Sequence, residues 1–255
     1  MGGQLRADPR WRWAAASSIG TSHQRLETRK QDAYGVRLSS SALLAVVSDG
    51  AGSAAYGGEG ASLVCRHLLV AFRHWFLDHN HLPDDDTVRC WIDDLRDRLS
   101  VVAARHELTR RQFAATLVML VVSNDQFLTL QIGDSALVGR KNGEWEALCW
   151  PENGEFASTT FFVTDDPEVR LHCVSGDLEH DAFALFSDGL ESVALEQATQ
   201  QPFARFFDPM IKAIDEAEGN GRLARLSEAL AKYLETPRIC ERTDDDKTLI
   251  LISKR

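Results

Sequence analysis

Short apolar runs, broken by glycine, aspartate and polar pairs, recur along almost the whole chain. Leu43-Leu44-Ala45-Val46-Val47 is followed at once by Ser48-Asp49-Gly50-Ala51-Gly52. A run this short reads as a buried strand, and the glycines after it let the backbone turn sharply and approach a ligand closely. The same pattern returns at Ala182-Phe183-Ala184-Leu185-Phe186, followed by Ser187-Asp188-Gly189. Two strands that each end in Ser-Asp-Gly can bring two carboxylates to one end of one core. Converging carboxylates repel each other unless a cation lies between them. The leading reading of the pattern is therefore a site for hard divalent metals.

The remaining runs predict strands at Trp11–Ser18, Ala33–Arg37, Ala42–Val47, Ala114–Ser123, Gln126–Ile132, Ala136–Arg140, Glu144–Trp150, Val169–Val174, Ala182–Ser187 and Thr248–Ile252. Ser39-Ser40-Ser41, Asn124-Asp125 and Asn142-Gly143 are the expected turns. Between the first two strands, Ile19–Asp32 is polar and basic, and Pro151–Asp166 reads as a loop. Helical spacing places Ala61, Val64, Leu68, Leu69 and Phe72 on one face of a helix over Gly57–His79. Asp84-Asp85-Asp86-Thr87 offers capping chemistry to a second helix ending near Leu108. Pro202–Leu234 is helical, broken near Gly219-Asn220-Gly221. Residues 1–10 read as a disordered lead-in, and 11–255 as a single domain without repeat or linker. The expected fold class is α+β: a central antiparallel β-sandwich of two sheets, flanked by helix pairs on both sides in four layers, α/β/β/α.

Composition excludes some functions. A net charge of -10 argues against general binding to nucleic acid or anionic membrane surfaces. No apolar run approaches the length of a membrane span, and Met1–Arg12 is polar and basic, so a cytoplasmic protein without a signal peptide is expected. Five cysteines, with no pair at ligand spacing, read as reduced and mostly buried thiols. His74, His79 and His81 lie around a helix end among polar residues, where surface roles explain them better than a transition-metal site.

The acidic residues carry the chemistry. Besides Asp49 and Asp188, Asp32, Asp134 and the triplet Asp244-Asp245-Asp246 each begin or end an apolar run. One such aspartate is ordinary, because its side chain caps nearby backbone N–H groups in turns. The whole set is poorly explained that way. Ligation by oxygen alone selects Mg²⁺ or Mn²⁺ rather than Zn²⁺. Two such ions, about 3.5–4 Å apart, share a bridging carboxylate, lower the pKa of a shared water and accept a tetrahedral phosphate. The natural reaction class is phosphoester hydrolysis without a covalent protein intermediate.

In order, Gln31-Asp32-Ala33, Ser48-Asp49-Gly50-x-Gly52, Ala115-Thr116-Leu117, Gly133-Asp134-Ser135, Ser187-Asp188-Gly189 and Asp245-Asp246-x-Thr248 resemble the metal-dependent type 2C protein serine/threonine phosphatases, most closely their compact bacterial branch. Each motif alone is weak; the set in this order, from about Ser17 to Ile252, is specific. The resemblance implies that Asp49 bridges two metals, that the Gly50 carbonyl ligates the second, and that Asp188 and Asp245 complete the first. It implies that Asp32 orients the metal-bound water or serves as its base, and that Asp134 ligates a third, weaker metal. The implied substrate is a phosphorylated protein, hydrolysed at phosphoserine or phosphothreonine by in-line attack, reversing a serine/threonine kinase.

The departures from that pattern are specific. Gln31 stands where the family has Glu, and Ala51 where many members carry a histidine general acid. Ser192, beside Glu191, replaces an aspartate. Glu27 replaces the arginine expected to hold phosphate. His23 is the candidate general acid, with a structural histidine as the alternative. Arg25 and Arg29 are candidates for phosphate binding, with solvated surface charges as the alternative. Gln31 and Ala51 also motivate a second reading, a catalytically weak sensor or scaffold that binds metal and phosphoprotein without turnover. A third reading is hydrolysis of small-molecule phosphates. Thr116 reads as a packing residue, Thr159-Thr160 as a loop pair whose place beside the cleft is the less favoured alternative, and the tryptophans as core.

Overall fold

The computed structural model describes residues 10–153 and 160–255. The expected lead-in, apart from Arg10, and Thr159 lie outside the described residues. In chain order the elements are β1 Trp11–Ser18, α1 Thr21–Arg25, β2 Ala33–Leu38, β3 Leu43–Ser48, α2 Gly57–Asp78, α3 Asp85–Arg105, β4 Leu117–Ser123, β5 Gln126–Ile132, β6 Ala136–Lys141, β7 Glu144–Cys149, β8 His172–Asp177 and β9 Ala182–Phe186. There follow α4 Glu191–Ala194, the two-residue strands β10 Leu195–Glu196 and β11 Gln201–Pro202, α5 Ala204–Glu216, β12 Gly221–Arg222, α6 Ala224–Leu234, α7 Pro237–Cys240 and β13 Lys247–Lys254. Short 3₁₀ turns occupy Arg110–Phe113 and Asp188–Leu190.

Two sheets carry the fold. One has the order β12-β1-β13-β9-β6-β7, the other β2-β3-β4-β5-β8. Successive strand residues point to opposite faces, and here both faces are covered. Leu43, Ala45 and Val47 of β3 meet Phe183, Leu185, Ile250 and Ile252 between the sheets. Leu44 and Val46 turn outward beneath α2 and α3, while Leu249 and Leu251 pack beneath α5 and α6. Double coverage explains why the strands read as unbroken apolar runs, although the long strands pair antiparallel. The α/β/β/α layering is as expected. The predicted face of α2 is buried in full, and Asp84 caps α3 by accepting from the Thr87 N–H at 2.9 Å.

The departures from expectation are local. The predicted strand Val169–Val174 is displaced: β8 runs His172–Asp177, because its pairing with β5, from Gln131↔His172 to Gln126↔Asp177, sets its span. That strand is a largely exposed sheet edge, so its apolar content carried little information. Strand β4 begins only at Leu117, since Ala114–Thr116 bond to the turn after β3 instead. Helix α1 lies in a segment without apolar periodicity and was not expected; neither were α4, α7 or the two 3₁₀ turns. The cysteines are all free, but only Cys65 and Cys149 are buried and Cys90 is exposed. The histidine patch is an aromatic cluster: Trp75 stacks on His79 with centroids 3.7 Å apart and donates its indole N–H to the His81 carbonyl.

Candidate active site

Antiparallel pairing places the end of one strand beside the start of its neighbours, and the register does so for every acidic motif. In one sheet Ser48, at the end of β3, lies opposite Ala33, at the start of β2. In the other, Phe186 at the end of β9 pairs with both Ala136 and Leu249, near the starts of β6 and β13. Asp32, Asp49, Asp134, Asp188 and Asp245 thus gather at one end of the sandwich. Asp49, Gly50, Asp134, Asp188 and Asp245, together with His23, line one cleft of about 760 Å³. A larger groove of about 1360 Å³ lies beside it and shares Gln31 and Gly52, but none of these five residues borders it.

The glycines of the two Ser-Asp-Gly motifs permit this convergence. A Cβ on Gly50 would stand 2.2 Å from the Gly57 carbonyl carbon, and one on Gly189 would stand 1.9 Å from the Asp246 carbonyl oxygen. Thr116 joins two of the acidic turns: its hydroxyl accepts from the Asp49 N–H at 3.0 Å and lies 3.1 Å from the Ser135 hydroxyl.

Asp32 is buried behind the cleft wall and spans the two sheets. Its Oδ2 accepts from the Ser187 hydroxyl at 2.7 Å and the Thr248 hydroxyl at 2.6 Å. Since Thr248 gives its proton to Asp32, Ser17 donates to Thr248 at 2.7 Å, and Lys30 donates to Ser17 at 2.6 Å. The donors run in one direction, toward the carboxylate. Burial nevertheless pushes the Asp32 carboxyl up to about 6, against those hydroxyl bonds.

The other carboxyls are raised by the same causes. Burial, then the charges of Asp32 and Asp188, lift Asp49 well above the ordinary carboxylate range. Burial, then Asp134 and Asp245, push Asp188 up to about 7. Burial also raises Asp134, whose carboxylate the Thr160 hydroxyl reaches, and Glu191 at the cleft edge.

Does this donor set suit a hard cation? Among the described residues no three His, Cys, Asp or Glu side chains already form a closed cage about one point. The carboxylates nonetheless converge, and the charge of Asp188 helps to raise Asp49. Like charges gathered in this way require shared protons or a cation. Oδ1 of Asp32, Asp134 and Asp188 are all buried without a hydrogen-bond partner. Orphaned buried carboxylate oxygens are costly, and those of Asp134 and Asp188 in the cleft, with that of Asp32 behind its wall, fit Mg²⁺ or Mn²⁺, which take oxygen donors.

Sequence reasoning passed over Asp246. It is 1% exposed and accepts from the backbone N–H of Gly20 at 2.6 Å, of Gln31 at 2.5 Å and of Asp32 at 3.4 Å. Its Oδ1 also lies 3.1 Å from His23 Nδ1. Asp246 therefore pins both ends of the polar segment 20–32 to the start of β13. Along the triplet, Asp244 faces solvent, Asp245 faces the cleft and Asp246 faces inward, because the backbone bends at Asp245 before β13 begins. The phosphate candidates fare differently from the carboxylates. The Arg25 guanidinium is held by Asp244 at 3.0 Å and by the Thr21 carbonyl, and Arg29 borders the neighbouring groove rather than the cleft.

Fold and cleft together define a four-layer α/β/β/α sandwich with a cluster of acidic side chains at one end of its paired sheets. The model of the protein phosphatase 2C family matches residues 19–235. Serine/threonine-protein phosphatase 3 of Escherichia coli (strain K12) is 35% identical over 248 residues, covering 94% of this chain and 97% of that protein. The chain belongs to the protein phosphatase 2C family. Solved structures share its fold, among them the following two. One is the serine/threonine phosphatase Stp1 from Staphylococcus aureus, with a TM-score of 0.66, 17% identity, and 99% of this chain and 96% of that one covered. The other is the catalytic domain of the serine/threonine protein phosphatase PstP in complex with two manganese ions, with a TM-score of 0.63, 17% identity, and coverage of 96% and 98%.

Proposed function

We propose that this chain hydrolyses phosphoserine and phosphothreonine in proteins, using two Mn²⁺ or Mg²⁺ ions, and so reverses a serine/threonine kinase. The observation that carries the proposal is the meeting of Asp49, Asp188 and Asp245, from three distant parts of the chain, in one cleft. These three side chains and the Gly50 carbonyl would hold the two ions, and the free Oδ1 of Asp134 offers a donor to a third. When bound, the ions supply a water of lowered pKa and neutralise phosphate charge.

The chain's own groups do the rest. Asp32 is oriented by two hydroxyls on Oδ2, which leaves Oδ1 to take a proton from the attacking water. His23 takes the general-acid role that Ala51 cannot fill. Asp246 holds His23 Nδ1, which fixes the orientation of the ring. Proton transfer from His23 to the departing serine or threonine oxygen balances the one taken up at Asp32.

The carboxylate set is intact, so the non-hydrolysing sensor reading is not favoured. Free cysteines suit a reducing, cytoplasmic setting, and no described helix is long and apolar enough to cross a membrane. The test is a metal-titrated assay on p-nitrophenyl phosphate and a panel of phosphothreonine peptides. Turnover with Mn²⁺ or Mg²⁺ is expected, abolished by EDTA and by Asp49→Ala. Absence of hydrolysis with either metal on every substrate would end the proposal.

A further inference from the structure

Even with cations bound, a site built from carboxylates must also grip a dianion, and Glu27 stands where a phosphate-holding arginine was expected. Among the described residues, Arg111 is the sole lysine or arginine lining the acidic cleft. It faces Asp165 and Glu191 there as well as the aspartates already described. We propose that Arg111 holds the phosphate of the substrate. The proposal rests on the phosphatase reading of the same cleft.

The root of Arg111 is fixed. It lies in the 3₁₀ turn Arg110–Phe113, which docks on the loop that follows Asp49 and Gly50. The Ala55 N–H donates to the Gln112 side-chain oxygen at 3.0 Å, and the Tyr56 N–H donates to the Gln112 carbonyl at 2.8 Å. The Ala51 N–H donates to the Ala114 carbonyl at 2.9 Å. Phe113 is buried and stacks on Tyr56 with centroids 5.1 Å apart. A cation carried on this turn therefore keeps its position relative to Asp49.

Among the described residues the guanidinium itself is uncommitted. Arg110, one residue earlier, is paired with Asp166, and Arg96 is bound to the Asp165 carbonyl and to Asp166. Arg111 is exposed and makes no ion pair or side-chain hydrogen bond among the described residues. A planar guanidinium suits two phosphate oxygens at once, and such charge-assisted pairs are the strong ones. An unpaired arginine at the mouth of a carboxylate-lined cleft is the arrangement that lets an anion enter against like charge.

The test compares Arg111→Ala, Arg111→Gln and Arg111→Lys with the unaltered protein, all loaded with Mn²⁺. Two quantities are read: KM for p-nitrophenyl phosphate, and the affinity for inorganic phosphate by calorimetry. Arg111→Ala and Arg111→Gln are expected to weaken both together by roughly tenfold or more, with Arg111→Lys restoring only part, because an ammonium lacks the planar fork. Unchanged melting and unchanged Mn²⁺ binding in the variants would tie the loss to the guanidinium. Unaltered KM and phosphate affinity in Arg111→Gln would overturn the proposal. If the unaltered protein turns over nothing, the phosphatase reading fails, and calorimetry still decides for Arg111. Phosphate binding lost in Arg111→Gln supports the assignment; equal binding, or none by the unaltered protein, sinks it.

Discussion

Asp32 shows how much a single side chain depends on its neighbours. Two hydroxyls orient one oxygen and leave the other bare, while burial holds the carboxyl near 6. Asp32→Asn keeps the shape and removes the proton acceptor. The expected result is a fall in kcat of about 10²–10⁴-fold with little change in KM; a variant with unaltered kcat would remove Asp32 from the chemistry. Asp188 makes the complementary prediction about pH. Its ordinary value is 3.8, and in the folded, metal-free protein it is about 7. Between those values the folded state holds a proton that the unfolded chain has lost, so folding stability falls as pH rises through that window. Asp188→Asn removes this loss. In EDTA the variant should melt higher than the unaltered protein at pH 8, by roughly 5 °C or more, with the gap closing toward pH 4. Identical melting at pH 8 would show that Asp188 is not strained by its neighbours.

At the level of elements, the question is what holds strand ends and loops against one another. The turn after β9 approaches the strand before Thr248 so closely that Gly189 has no room for a side chain. The obstacle is the Asp246 backbone, which cannot swing aside. Gly189→Ala should therefore destabilise the protein by about 1–3 kcal/mol and weaken metal binding in step, because Asp188 and Asp245 are both displaced. Thermal melting and Mn²⁺ calorimetry read the two effects. Normal stability in this variant would mean that the close approach does not set the site. The same elements show where the sequence was legible. The apolar periods of β3, β9, β13 and α2 placed those elements to within a residue or two, since burial on both faces writes a strong pattern. The exposed edge β8, expected three residues too early, and the polar helix α1, not expected at all, carry no such pattern. Asp246 escaped for another reason: nothing local separates a buried aspartate that gathers backbone N–H groups from its neighbours Asp244 and Asp245 in the same run.

The molecule as a whole concentrates acid at one end of the sandwich. The stability cost of that arrangement should be relieved by the ions the site is built to hold. Excess Mn²⁺ at a hundred times its dissociation constant is expected to stabilise the fold by about 2.7 kcal/mol, an effect lost in Asp49→Ala. Melting curves with and without EDTA read it, and an unmoved transition would argue that the carboxylates do not act together. The two sheets contribute unequally to this centre. Asp49 and Asp32 come from the sheet of β2 and β3, Asp134, Asp188 and Asp245 from the other, and the Ser187 and Thr248 bonds to Asp32 tie them across the layer boundary.

By itself the sequence determined the layers and the acidic set, because strand periodicity and motif order are local properties that a linear reading can detect. It left open which cation faces the substrate. Arg25, Arg29 and Arg111 differ little as letters in a chain. Only the folded protein ties Arg25 to Asp244, turns Arg29 toward the adjoining groove and leaves Arg111 at the cleft. That choice depends on contacts between residues far apart in sequence, and such contacts exist only once the sheets have closed on each other.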